Sequence, residues 1–314
     1  MRKWRNILII KLGAFGDIVM AEGVFHDIRD NFPQAQISVL TTPAYKKIFE
    51  RCHWVDKILL DPRDPRWRLD LMLKLNRQIR FDSFDVVFDL QRANRTSFYH
   101  RWFIRKASWS GLAAGCDLPY TVPPDKKISV MEEFALQLEA AGLKVKHTLL
   151  PDPQWFLEDV SEILTEAQVH DPYVVLLAGA SARRTEKCWP YYDKLASKLL
   201  EKGICVLTVP GPDDLELCST IPGIMLTGSR GYLDFFQLAG VMKGAAFVVG
   251  NDSGPTHLAA HLGVPGVALF SGHIPAYRTG IARDRFKCIE AAEMAHIPVE
   301  KVFSEVISYI DNGA

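Results

Sequence analysis

The stretch VVGNDSGPTHLAAHLGVPGVALF (248–270) runs from an apolar β-rich segment into Asn-Asp-Ser-Gly-Pro, then an apolar-periodic helix, then a second apolar strand. Strand, tight turn, helix and strand in this order form the repeating unit of a parallel sheet covered by helices. Asp252 and Ser253 suit the capping positions of the helix, and Gly254 lets the backbone come close to a ligand. Pro255 suits the first turn, where a missing N–H costs nothing. His257 falls in that same turn. Free N–H groups, a hydroxyl and an imidazole thus converge on one spot, a chemistry that suits a diphosphate.

The same alternation extends along the chain. Strands are expected at ILII (7–10), ISVL (37–40), KILL (57–60), DVVFDL (85–90) and, more weakly, ASWSG (107–111). Helical patterns lie between them near 17–31, 43–51, 67–80 and 96–105, with another at 128–142. After the proline-bounded LLPDPQWF (149–156) the pattern restarts with YVVLLAG (173–179), ICVLTVPG (204–211), IMLTG (224–228), AAFVVGN (245–251) and GVALF (266–270). The spacing predicts an α/β protein of two doubly wound parallel-sheet domains in tandem, 1–150 and 151–314. The last helix, near 298–311, is free to pack back on the first domain. Ligands of such sheets bind outside the carboxyl ends of the strands, and in two domains those ends can face each other across a cleft.

Bulk properties agree. A chain of 314 residues with 48% hydrophobic content is long for one core and suits two. No apolar run approaches the ~18 residues of a membrane span, and the start, MRKWRNILII, is too short in its apolar part for a secretory signal. The six cysteines form no C-x-x-C pair and no metal spacing with histidine. They read as incidental thiols of a reduced cytoplasmic protein. The formal net charge is zero, yet residues 1–150 carry 24 Lys and Arg against 17 Asp and Glu, and residues 151–314 carry 13 against 20. A basic first half suits an anionic partner, although chance partition of surface charge gives the same split.

Two further loops follow strand ends. The first is Lys11-Leu12-Gly13-Ala14-Phe15-Gly16-Asp17. Gly13 and Gly16 permit close backbone approach, and Asp17 stands at the start of the next helix. Taken alone, helix capping explains that aspartate best. The second, GASARRTEKCWP (179–190), gathers Arg183, Arg184 and Lys187 between a strand end and a helix start. Cations there suit a diphosphate, and a solvated basic loop has the same composition.

The Gly16-Asp17 pair, Lys187-Cys188-Trp189-Pro190 and GNDSGPTHLAAHLGVP (250–265), in this order along the chain, resemble the motifs of glycosyltransferase family 9, the ADP-heptose:lipopolysaccharide heptosyltransferases. The resemblance implies a GT-B fold, with two Rossmann-like domains facing a central cleft, the first binding acceptor and the second nucleotide-sugar donor. It implies inverting, metal-independent transfer of heptose from ADP-heptose to the lipopolysaccharide inner core. The aspartate after the first strand is the general base in that family, a role that falls on Asp17. Lys187 inherits the phosphate contact, and Asp252, Ser253, Gly254 and His257 the donor loop, with Gly13, Gly16, Arg183 and Arg184 as further donor-side candidates. Serine at 253 replaces a common threonine and keeps the hydroxyl.

The chemistry of the residues is compatible. Glycosyl transfer needs a base for the acceptor hydroxyl and positive charge for the departing diphosphate. No D-x-D triplet occurs, so a metal-bridging pair of that kind is missing and no cofactor is expected. On the acceptor side, QRANRTSFYHRWFIRK (91–106) contains Arg92, Arg95 and Arg101 and no acid. These arginines suit carboxylates or phosphates of an anionic glycolipid, and an ordinary amphipathic helix suits the pattern equally. The expected partners are a nucleotide sugar, an anionic glycolipid and the inner face of the cytoplasmic membrane, with no nucleic acid. Other readings keep the fold: a family 9 transferase with another donor or a non-lipopolysaccharide acceptor, a sugar-nucleotide epimerase, or a non-catalytic nucleotide-sugar-binding module. A nicotinamide dehydrogenase is disfavoured because no G-x-G-x-x-G follows either first strand.

Overall fold

The computed structural model describes residues 3–179, 187–228, 230–272 and 274–311. The chain divides into two compact units, Met1–Trp155 and Phe156–Ala314.

In the first unit the strands are β1 (Asn6–Ile10), β2 (Gln36–Thr41), β3 (Lys57–Leu60), β4 (Val86–Asp89), β5 (Ser108–Gly111) and β6 (Leu118–Pro119). They pair in parallel in the order β3-β2-β1-β4-β5-β6. This is the doubly wound order of a Rossmann sheet. Ile7, Leu8, Ile9 and Ile10 are fully buried because both faces of β1 are covered, which is why this strand reads as an unbroken apolar run. The helices are α1 (Phe15–Met20), α2 (Glu22–Asn31), α3 (Lys46–Arg51), α4 (Leu69–Arg80), α5 (Asn94–Trp102) and α6 (Val130–Ala140). The continuous helix expected over 17–31 is two helices that meet at Ala21.

The second unit repeats the design. Its strands are β7 (Tyr173–Leu177), β8 (Cys205–Thr208), β9 (Ile224–Met225), β10 (Phe247–Asn251), β11 (Gly266–Ser271) and β12 (Phe286–Ala291), again all parallel, in the order β12-β11-β10-β7-β8-β9. The helices are α7 (Ser161–Glu166), α8 (Tyr192–Glu201), α9 (Leu215–Ser219), α10 (Phe235–Gly244), α11 (Gly254–His261) and α12 (Val299–Asp311). The last helix, which the sequence left free to pack on the first domain, buries Val302 and Val306 in the core of the second with Trp189, Leu195 and Val249.

The first unit extends past residue 150 for a specific reason. Glu22 on α2 accepts the Asp152 backbone N–H at 2.9 Å and the Trp155 indole N–H at 3.4 Å. Just before this, the buried carboxylate of Asp27 accepts the backbone N–H groups of Lys146, His147 and Thr148 at 2.8–3.1 Å and the Thr148 hydroxyl at 2.7 Å. Gly23 leaves the space that this segment needs, since a Cβ there would collide with the His147 carbonyl.

Candidate active site

In each sheet the strand order reverses between two adjacent strands, β1 and β4 in the first, β7 and β10 in the second. A crevice opens outside the carboxyl ends at such a point. Gly13, Gly16 and Asp17 follow β1 at the first of these places, and Asp252, Ser253, Gly254 and His257 follow β10 at the second, where Lys187 meets Asp252.

At the first, Lys11 follows β1 directly and is buried. Its Nζ donates to the Leu90 carbonyl at 3.3 Å and lies 3.8 Å from Asp17 Oδ2. Burial lowers the Lys11 ammonium to about 8, against the raising influence of Asp17 and Asp89. Gln91 completes the crevice by accepting the Leu12 N–H at 2.9 Å. Gly13 takes φ +122° with the Tyr45 ring against it, a conformation and a clearance that only glycine satisfies. Gly16 is buried in the first turn of α1. Asp17 is the third helical residue rather than the cap, and its Oδ2 accepts the Ala14 N–H at 3.0 Å. The capping role is therefore real, through the arm of a capping box that reaches back. The carboxylate remains two-fifths exposed.

At the second, Lys187 forms an ion pair with Asp252, and both are largely buried. His257 Nε2 lies 3.4 Å from the other oxygen of the same carboxylate. Burial pushes the Asp252 carboxyl up, but hydrogen bonds from His257 and Lys187 outweigh it and hold the group at about 2. His257 Nδ1 is buried with no hydrogen-bond partner among the described residues. Ser253 occupies the cap position of α11 without a capping side-chain bond, because its hydroxyl meets Thr256 Oγ1 at 2.9 Å. The first N–H groups of α11, beginning at Gly254, are thus left for another acceptor. Arg183 and Arg184 lie outside the described residues.

Asn251, at the end of β10, was not among the expected site residues and ties this site together. It is fully buried and reaches both the end of β7 and the start of the Trp189 segment. Trp189 is core, with its indole N–H donating to the Ile297 carbonyl at 3.0 Å. The K-x-W-P element therefore sets Lys187 at the site by anchoring the residue two places later.

The basic stretch after β4 is arranged differently from its expected role. Arg92 pairs with Glu133, donates to the Tyr120 hydroxyl at 2.9 Å and stacks over Phe134. Arg95 grips buried Asp61 with two bonds, at 2.6 and 2.8 Å, and donates to the Asp64 carbonyl. Of the three arginines expected to bind acceptor, Arg101 is the exposed one, lying over Trp102. Buried Asp89 accepts the Gln91 and Arg92 N–H groups, which turns the chain at the strand end.

Among the described residues, one group of donors is close enough to share a metal ion: His26, Asp30 and His147. The two imidazoles lie parallel with centroids 3.5 Å apart. Their lone pairs run side by side rather than converging, which suits a stack beside a carboxylate better than chelation.

The sequence model described as glycosyltransferase family 9 (heptosyltransferase) matches residues 72–305. Lipopolysaccharide heptosyltransferase 3 of Escherichia coli K12 is 34% identical over 289 residues, covering 81% of this chain and 79% of that protein. The crystal structure of a family 9 glycosyltransferase from Veillonella parvula superposes with a TM-score of 0.80 at 18% identity, covering 98% of both chains. The E. coli ADP-heptose lipopolysaccharide heptosyltransferase II structure does so with a TM-score of 0.74 at 18% identity, covering 98% of this chain and all of that one.

Proposed function

The chain belongs to glycosyltransferase family 9, the heptosyltransferase family, and we propose on that basis that it transfers a heptose from ADP-heptose to a hydroxyl of the lipopolysaccharide inner core. The observation that carries this reading is the Lys187–Asp252–His257 cluster beside the uncapped start of α11. A nucleoside diphosphate brings negative charge that these N–H groups and Lys187 accommodate, and this stabilisation grows as the glycosidic bond breaks.

In the proposed reaction Asp17 takes the proton of the acceptor hydroxyl as its oxygen attacks the anomeric carbon, and ADP leaves from the opposite side with inversion. Lys11, behind Asp17, keeps a cation beside the carboxylate in the resting site. Lys187 and the α11 N–H groups take the charge of the leaving diphosphate, with Arg183 and Arg184 as further candidates. No step needs a metal. The acceptor is an anionic glycolipid, met at the inner face of the cytoplasmic membrane.

The test is to incubate purified protein with ADP-heptose and a lipopolysaccharide core acceptor lacking the added sugar, with and without chelator. A heptosylated product of inverted anomeric configuration, formed equally in chelator, is expected. Retained configuration or an absolute metal requirement would overturn the mechanism. The donor-loop residues address the diphosphate rather than the sugar, so a family 9 transferase with another donor is the second reading. A panel of ADP- and UDP-sugars scored by thermal shift separates the two.

A further inference from the structure

The side of α4 that faces away from the core is unusual for a surface helix. Met72, Leu75 and Ile79 are buried in the core of the first unit. The opposite side is not simply polar. Leu69 is 71% exposed and Leu73 56%, and Trp67 before the helix and Phe81 after it are 75% and 84% exposed. Residues 69, 73, 77 and 80 fall on one stripe of a helix. Leucines therefore occupy its first half and Arg77 and Arg80 its second, with Lys74 alongside, all exposed.

The surroundings are basic. Arg63 and Arg66 in the preceding loop are exposed. The exposed acid of the helix, Asp70, is held by Arg68 at 3.0 Å. The patch also continues sideways onto α5. The Arg66 guanidinium lies over the Phe98 ring at 5.7 Å, and Phe98 lies 6.5 Å from Trp102, itself 55% exposed.

We propose that this face of α4, with the loop before it, is the surface through which the chain docks on an anionic lipid bilayer. Large apolar side chains carried at such exposure need an occupant. A complementary protein surface would have to supply acids opposite every arginine, whereas an anionic lipid layer supplies both the phosphates and the apolar interior. Tryptophan, phenylalanine and leucine interleaved with arginine are the composition of a helix that lies in the headgroup region. No helix among the described residues is long and apolar enough to cross a membrane, so binding is by lying in the interface. The inference rests on the reading of a membrane glycolipid as acceptor and gives that reading a surface.

The test uses the full chain, tag-free, in vesicle flotation without donor. Vesicles of phosphatidylcholine alone are compared with vesicles containing phosphatidylglycerol, at low and high salt. Binding to the anionic vesicles is expected, weakening as the Debye length falls from ~10 Å at 0.1 M to ~3 Å at 1 M salt. Trp67→Ser with Phe81→Ser should weaken binding at least about tenfold. Arg66→Gln, Arg77→Gln and Arg80→Gln should each weaken it roughly fivefold. Leu215→Gln with Leu217→Gln, exposed on α9 of the other unit, should change nothing. All these positions are exposed, and circular dichroism checks that each variant is folded. Absence of binding, or binding that the α4 variants leave intact, overturns the proposal. So does a lipid-free dimer in sedimentation that Trp67→Ser with Phe81→Ser dissociates, since the face would then belong to a second copy. Turnover of a lipid-free core oligosaccharide, unchanged in the α4 variants, separates failure of docking from failure of the transfer reaction.

Discussion

Asn251 holds Trp189 in place: its Oδ1 accepts the Trp189 backbone N–H at 3.1 Å and the Tyr192 hydroxyl at 3.1 Å. Its Nδ2 donates to the carbonyls of Ala178 and Gly179 at 2.8 and 3.4 Å. One buried amide thus joins the ends of β7 and β10 to the segment that presents Lys187. Asn251→Leu removes all four contacts and orphans buried partners, so urea denaturation should show a loss of roughly 2–4 kcal/mol. Donor affinity should fall with it. Stability within ~0.5 kcal/mol of the parent would show that the amide is no strut.

The Lys187–Asp252 pair sets a pH dependence. A carboxyl held at about 2 in the folded chain and near 3.9 when unfolded contributes on the order of 2 kcal/mol. The unfolded chain takes the proton first as pH falls, so this contribution is complete above about pH 4 and disappears on the way down to about 2. Asp252→Asn should flatten the acid limb of a stability-against-pH curve in that window. Lys187→Ala should weaken ADP-heptose binding in titration calorimetry, and an unchanged dissociation constant would remove Lys187 from the phosphate site.

Lys11 gives the opposite sign at the alkaline end. Its ammonium titrates at about 8 in the folded chain and near 10.4 when unfolded, so the native state carries a cost at neutral pH that is relieved as pH rises between those values. Lys11→Met should raise stability at pH 7 by about 1–3 kcal/mol, with the gain vanishing toward the upper value. Transfer should slow in the same variant, because Asp17 loses its neighbouring cation. Asp17→Asn should lower kcat by about 10²–10⁴-fold with donor affinity little changed. Turnover at the parent rate would end the assignment of Asp17 as base.

Arg95 and Arg101 should part company. Arg95→Met leaves Asp61 buried without its cation, with only the Tyr99 hydroxyl and backbone to satisfy it, and should cost about 3–5 kcal/mol in denaturant. Arg101→Gln should stay within ~0.5 kcal/mol of the parent and raise the KM for acceptor. An Arg95 variant of full stability with a raised acceptor KM would reverse these roles.

The turn after β10 was legible because its residues are consecutive. Asn251 to His257 turn at one strand end, and the chemistry of each is visible in order. The arginines after β4 were not legible in the same way, because Asp61 and Glu133, which neutralise Arg95 and Arg92, are distant in the chain. A stretch without acids looks free until the fold brings acids to it. Strand β12 escaped the sequence reading for a related reason. In FKCIEA the buried Phe286 and Ile289 are three residues apart, with exposed Lys287 and Glu290 between and after them, so this edge strand carries neither an apolar run nor a period-2 alternation. Asn251 was read as part of a motif and not as a strut, since nothing local shows that its partners are Trp189 and Ala178.

The Asp27 carboxylate has a consequence for how the first unit is made. Helix α2 leaves the ribosome early, yet three of the N–H groups that satisfy this buried charge belong to residues 146–148. A nascent chain ending at Leu143 already contains all six strands of its sheet but lacks the segment whose N–H groups pair with this carboxylate, leaving that side of α2 open. Completion of this half is therefore deferred until its final segment emerges. Fragments 1–143 and 1–155 should differ sharply in protease resistance although they share every strand.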